Sequence, residues 1–96
     1  MSELTLQTKS LSKTHLPLET VRLEVLEGEA RGASAVLSAG TLIAGASSRS
    51  DFVVRDSTVS GRHASFELLG GAVRVRDLGS RNGTFFLGAR VDAVVV

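Results

Sequence analysis

From Val21 onward the chain alternates apolar and polar side chains. In VRLEVL, Val21, Leu23 and Val25 fall on one side of an extended backbone, with Arg22, Glu24 and Leu26 on the other. That period of two predicts a half-buried strand. Glu27-Gly28-Glu29 then turns the chain. Further short runs rich in β-formers follow: ASAVL (33–37), TLIAG (41–45), DFVV (51–54), HASFEL (63–68), AVRVRD (72–77), TFFL (84–87) and RVDAVVV (90–96). Each is bounded by Gly, Ser, Asp or Asn. Regularly spaced short strands with turn residues between them predict an all-β, antiparallel sandwich or barrel. Gly70-Gly71 predicts a tight hairpin, because glycine tolerates the positive φ such turns need. Asn82-Gly83 is a second turn signal, between AVRVRD and TFFL. No helix of useful length is predicted.

The first eighteen residues, MSELTLQTKSLSKTHLPL, break the pattern. They are rich in Ser, Thr and Lys and carry the only proline, Pro17. Leu4, Leu11 and Leu18 have a weak helical spacing but no cap and no broad apolar face. A flexible leader over 1–18 is expected, followed by one domain over 19–96.

Composition narrows the function. With 96 residues there is room for one domain, and 43% hydrophobic content with four Phe, no Trp and no Tyr implies a core of Val, Leu, Ile and Ala. The formal net charge of +1 gives no bulk pull toward nucleic acid, so direct nucleic-acid binding is not expected. The absence of cysteine excludes disulfides and Cys-based metal sites. No apolar run reaches signal-peptide or membrane-spanning length, so a cytoplasmic protein with no membrane contact is expected.

One stretch, TVSGRHA (58–64), places Ser60 three residues before His63 and raises the question of a nucleophile with its base. Serine catalysis also needs an orienting third group and an oxyanion hole. There is no G-x-S-x-G elbow, and residues three apart on one strand point to opposite faces. An enzyme is not expected. Metal binding is not expected either, since the only histidines are His15 and His63; a lone strand histidine is commonly a brace for neighbouring backbone.

Three stretches concentrate Ser, Gly and Arg: 45–51 with Gly45 and Arg49, 57–62 with Ser60, Gly61 and Arg62, and 79–83 with Arg81 and Asn82. Gathered at one end of a sandwich, their hydroxyls, N–H groups and guanidiniums would suit a phosphate with its three acceptor oxygens. The simpler alternative is that Ser, Gly and Asn make turns while Arg keeps the surface soluble.

The stretch 44–91 resembles a forkhead-associated (FHA) domain. The likeness rests on Gly45 followed six residues later by Asp51 and a hydrophobic strand, on Asp56-x-x-Val59-Ser60-x-x-His63-Ala64, and on Asp77-Leu78-Gly79-Ser80-x-Asn82-Gly83-Thr84. The resemblance implies a β-sandwich of about eleven strands whose loops bind a phosphothreonine peptide. It implies that Ser60 bonds the phosphate and that Asn82 bonds the peptide backbone; Arg49, Arg62 and Arg81, which lie in the same loops, and the Gly61 N–H are further candidate contacts that would compensate for a missing family arginine. Gly45, His63, Asp77, Gly83 and Thr84 would be architectural. The chain departs from the family where Ala46 replaces the usual arginine, at Gly61, at Arg81 and at Leu87-Gly88. These departures leave a second reading, a degenerate FHA fold used for phosphate-independent association or dimerisation.

The family usually closes with two further strands that return beside the first. Their absence after Val96 implies a sandwich lacking its closing strands, with an exposed edge at VRLEVL or its neighbours that would favour self-association. The leader followed by an FHA-like domain also resembles the opening of bacterial sigma-54-dependent transcriptional activators, implying a signalling module that regulates transcription. No cofactor is implied.

Overall fold

In the computed structural model, the backbone is described for residues 3–6, 9–15 and 20–96, and side chains for 20–96. Eleven strands run in the order β1 (Glu3–Leu6), β2 (Lys9–His15), β3 (Val21–Val25), β4 (Ser34–Leu37), β5 (Thr41–Gly45), β6 (Phe52–Val53), β7 (Ala64–Leu69), β8 (Ala72–Asp77), β9 (Thr84–Phe86), β10 (Ala89–Arg90) and β11 (Ala93–Val95). They form a six-stranded sheet, β10-β9-β1-β2-β3-β4, and a five-stranded sheet, β11-β8-β7-β5-β6. Pairing is antiparallel except between β5 and β6, which run parallel with Ala44 opposite Phe52 and Gly45 opposite Val53.

The alternation read from the sequence is what divides core from surface. Val21, Leu23 and Val25 of β3 are buried, with Arg22 and Glu24 between them paired at the surface. From the second sheet Ala44, Ala64, Phe66, Val73 and Val75 fill the same core, and Phe66 is wholly buried. Truncating a buried phenylalanine of this kind costs about 3–5 kcal/mol. On the outer face Glu67 lies opposite Arg74 and forms an ion pair with it. Val54 and Val59, from the segment between β6 and β7, are also buried and fasten that segment to the core.

Several expectations are corrected. Gly70-Gly71 does join β7 to β8 as a two-residue hairpin, with Leu69 opposite Ala72 and Gly70 at φ 51°. Asn82-Gly83 makes no hairpin, because β8 and β9 belong to different sheets and the chain crosses between them. The run RVDAVVV is not one strand. Its start belongs to β10 in one sheet and its end to β11 in the other, and Val96 exchanges both backbone hydrogen bonds with Val73.

Where a flexible leader is expected, residues 3–6 and 9–15 are strands. The remaining positions of 1–18 lie outside the described residues. Leu4 to Leu6 pair with Thr84 to Phe86 of β9, and Leu11 to His15 pair with Val21 to Val25 of β3. In the six-stranded sheet β1 and β2 thus lie between β9 and β3, with β2 beside β3. The edge expected at VRLEVL is therefore covered, with β2 on one side and β4 on the other. Backbone pairing supplies the reason: an unpaired row of N–H and C=O groups on β3 recruits a strand, here from the same chain.

Candidate functional site

The three Ser/Gly/Arg stretches lie in the β5–β6, β6–β7 and β8–β9 connections, and hydrogen bonds tie them to one another. The Ala46 N–H donates to the Ser60 carbonyl at 2.9 Å, and the Ser47 N–H donates to the Gly61 carbonyl at 3.2 Å. Ser50 Oγ donates to that same carbonyl at 2.8 Å. This close approach explains Gly45. A Cβ on it would stand 2.0 Å from the Gly61 oxygen, so any side chain there would force the two loops apart.

His63 binds two loops at once. Its Nδ1 accepts from the Ser60 backbone N–H at 3.0 Å, so the ring proton of the neutral imidazole sits on Nε2. Nε2 then donates to the Gly83 carbonyl at 2.8 Å. The ring is wholly buried. Burial lowers its pKa from the ordinary 6.5, and this outweighs the opposing pull of the Gly83 carbonyl and the Asp77 carboxylate. A neutral imidazole spent on backbone in this way has no free nitrogen for the Ser60 hydroxyl. The nucleophile-and-base arrangement is absent from the site.

Asp77 organises the third loop. Its carboxylate accepts from the Gly79 and Ser80 N–H groups and from the Ser80 and Thr84 hydroxyls. Burial pushes its pKa up as the largest single influence, but these four bonds together hold it below the usual 3.8. Ser80 Oγ in turn accepts from the Gly83 N–H at 3.0 Å. Gly83 has φ 91°, a backbone conformation suited to glycine.

Asp56 plays a matching part in the β6–β7 segment, accepting from the Thr58 N–H, the Thr58 hydroxyl and the Glu29 N–H. Asp56, Ser80 and Ser50 were not singled out in the sequence as site residues. Asp56 carried a legible signal, the Asp-x-Thr spacing of a side chain that caps its own turn. Ser50 carried none, since its partner lies eleven residues away.

The outward-facing groups are few. Ser60 Oγ accepts from the Arg81 N–H at 2.9 Å, which leaves the hydroxyl hydrogen free to donate. The Gly61 N–H has no acceptor among the described residues. Asn82 Nδ2 donates to the Thr58 carbonyl at 2.8 Å, and the amide oxygen remains available. The Arg81 guanidinium is exposed and reaches only the Ser57 carbonyl, at a marginal 3.5 Å. Ser60, Gly61, Arg81 and Asn82 are thus brought together. Arg49 and Arg62 instead line a neighbouring concavity. Ala46 packs against the core and brings no charge. Among the described residues no cluster could hold a metal ion, and no helix is long and apolar enough to cross a membrane.

A family model described as the inner membrane component of T3SS, cytoplasmic domain, matches residues 24–95. The glycogen accumulation regulator GarA of Mycolicibacterium smegmatis is 41% identical over 81 residues, covering 84% of this chain and 51% of the relative. The oxoglutarate dehydrogenase inhibitor of Corynebacterium glutamicum is 40% identical over 76 residues, covering 79% of this chain and 53% of the relative. The chain therefore spans about half the length of these curated relatives. A solved structure from a structural and functional analysis of phosphothreonine-dependent FHA domain interactions superposes with a TM-score of 0.71 at 30% identity. That match covers 80% of this chain and 78% of the other. These relatives are named as a regulator and an inhibitor, so they lend no support to the sigma-54 activator context or to transcription regulation. Matched by that family model over residues 24–95 and in fold and sequence to a solved FHA domain, this chain belongs to the forkhead-associated family.

Proposed function

We propose that this domain reads a phosphothreonine-bearing segment of a partner protein and acts as the recognition module of a regulatory protein. The observation that carries this reading is the free Ser60 hydroxyl. It accepts from the Arg81 N–H and keeps its hydroxyl hydrogen to donate outward, beside the unpaired Gly61 N–H. Two such donors, with the Arg81 guanidinium at the rim, suit an anion rich in acceptor oxygens. The Asn82 amide oxygen can accept a peptide N–H and so fix the direction of a bound strand. His63, Gly45, Asp77, Gly83 and Thr84 hold these groups in place without reaching a ligand. The names of the relatives, a glycogen accumulation regulator and an oxoglutarate dehydrogenase inhibitor, favour control of metabolism as the setting.

Calorimetry with a threonine peptide, its phosphothreonine form and its phosphoserine form tests the reading. The phosphothreonine peptide is expected to bind, and Ser60→Ala to weaken it about ten- to a hundred-fold, the worth of one hydrogen bond to a charged group. Equal binding of the three peptides would overturn it. That result would favour the second reading, phosphate-independent association, which Ala46 supports because it supplies no guanidinium at the loop mouth.

A further inference from the structure

The turn between β3 and β4 stands outside the three loops of the site, yet it is fastened to one of them. Gly28 at φ 94° and Gly32 at φ 91° bracket it, and the Gly32 N–H donates to the Val25 carbonyl at 2.9 Å, which pins the turn to the end of β3. From this turn Glu29 meets the β6–β7 segment twice. Its backbone N–H donates to Asp56 Oδ2 at 3.1 Å. Its carboxylate accepts from the Ser57 N–H at 2.9 Å and from the Ser57 hydroxyl at 3.2 Å. Each of the two carboxylates thus takes an N–H from the opposite segment. The partners are 27 and 28 residues apart, so this clasp belongs to the tertiary fold and no local turn rule produces it.

The clasp governs the carbonyl that follows it. Asp56 Oδ1 accepts from the Thr58 N–H at 2.9 Å and the Thr58 hydroxyl at 2.7 Å, and the Val59 N–H donates to the Asp56 carbonyl at 3.0 Å. Asp56 is buried and holds this turn from within, while Glu29 is exposed and holds Ser57 from outside. The Thr58 carbonyl then accepts from Asn82 Nδ2 at 2.8 Å. A carbonyl can only accept, so it selects the nitrogen of the Asn82 amide and leaves the oxygen for a ligand. A rotated peptide plane between Ser57 and Thr58 would remove that constraint and let the amide turn over.

We propose that Glu29 is a positioning residue for peptide recognition: by holding Ser57 it fixes the Thr58 carbonyl, and through it the direction of the Asn82 amide. The inference rests on the reading above, in which the Asn82 oxygen accepts a peptide N–H, and extends the site to a turn that touches no ligand.

The test is a double-mutant cycle on the 96-residue protein with a phosphothreonine peptide, read by NMR titration, which follows weak binding as well as tight. Glu29→Ala is expected to weaken binding about three- to tenfold, the lower range for hydrogen bonds to a charged group because water contests them at this exposed carboxylate. In an Asn82→Ala background it should cost nothing further, whereas in a Ser60→Ala background it should cost the same factor again. A variant that simply loses its fold weakens binding in both backgrounds alike. Glu29→Gln should restore most of the affinity, since its amide oxygen can accept from the Ser57 N–H while its amide nitrogen donates to Ser57 Oγ. In the free protein, the Asn82 side-chain amide protons should exchange with water faster in Glu29→Ala than in the parent. Three results each overturn the role of Glu29 and leave the Ser60 reading intact: unchanged affinity or amide exchange in Glu29→Ala, a Glu29→Gln as weak as Glu29→Ala, or an equal further loss once Asn82 has been replaced. Failure of the parent protein to bind any phosphothreonine peptide overturns both.

Discussion

Ser60 and His63 stand three residues apart, yet the hydrogen bond between them runs through the Ser60 backbone N–H and leaves the hydroxyl free. The buried imidazole is therefore a pH-sensitive part of the site without being a catalytic one. Its folded-state pKa is lowered, so as pH falls below about 6.5 the unfolded chain takes up a proton that the folded chain resists. The unfolded state then binds more protons, and stability, complete above that pH, declines as pH falls. Thermal unfolding should give a constant midpoint from about pH 8 to 7 and a falling one from 6.5 to 5, before carboxylates such as Asp77 titrate. An unchanged midpoint down to pH 5 would contradict the brace. Leu87 offers a second check. It is 81% exposed and holds φ 51° in the two-residue turn between β9 and β10, followed by Gly88 at φ 82°. Such a turn favours Asn-Gly, and a left-handed leucine costs about 1–2 kcal/mol. Leu87→Asn should recover about 1 kcal/mol in a denaturant titration; a loss of stability would show that the turn depends on Leu87 contacts.

At the scale of elements, the β1–β2 hairpin has the largest consequence. Among the described residues it is the only sheet pairing between β9 with β10 on one side and β3 with β4 on the other. β9 begins at Thr84, immediately after the Asn82-Gly83 loop, and Thr84 lies opposite Leu6. The hairpin is therefore a strut for the loop that carries Asn82. Removing residues 1–15 should expose the edge of β3, lower the unfolding midpoint and produce association in sedimentation runs. A truncated chain that stays monomeric with the same midpoint would show that the hairpin contributes nothing. The sequence concealed this element for a physical reason. Leu4 and Leu6 alternate as a strand should, but Ser, Thr and Lys dominate the segment, and its partners lie at opposite ends of the chain. Local composition reads as a leader, while the pairing is set by the tertiary gap it fills.

For the whole molecule, legibility followed the range of the interactions. The strands β3, β5, β7 and β8 were readable because a period of two needs only neighbouring residues, and the Gly70-Gly71 turn because its geometry is local. The split of RVDAVVV between two sheets was not, because it depends on Val91 bonding to Thr84 and Val96 to Val73. In the site, the residue types at Ser60, Arg81 and Asn82 were legible, but which donors stay free was not, since the Arg81 N–H bonds to the Ser60 hydroxyl oxygen across 21 residues. The departure of Arg49 and Arg62 into a separate concavity was likewise hidden. The central claim is that the free donors at Ser60 and Gly61 hold a phosphate. It is tested most directly by recording backbone amide NMR spectra of the 96-residue protein during titration with a phosphothreonine peptide and its unphosphorylated twin. The account predicts large shifts at Ser60, Gly61, Arg81 and Asn82 with the phosphorylated peptide only, and their disappearance in Ser60→Ala. Identical spectra with the two peptides would contradict it.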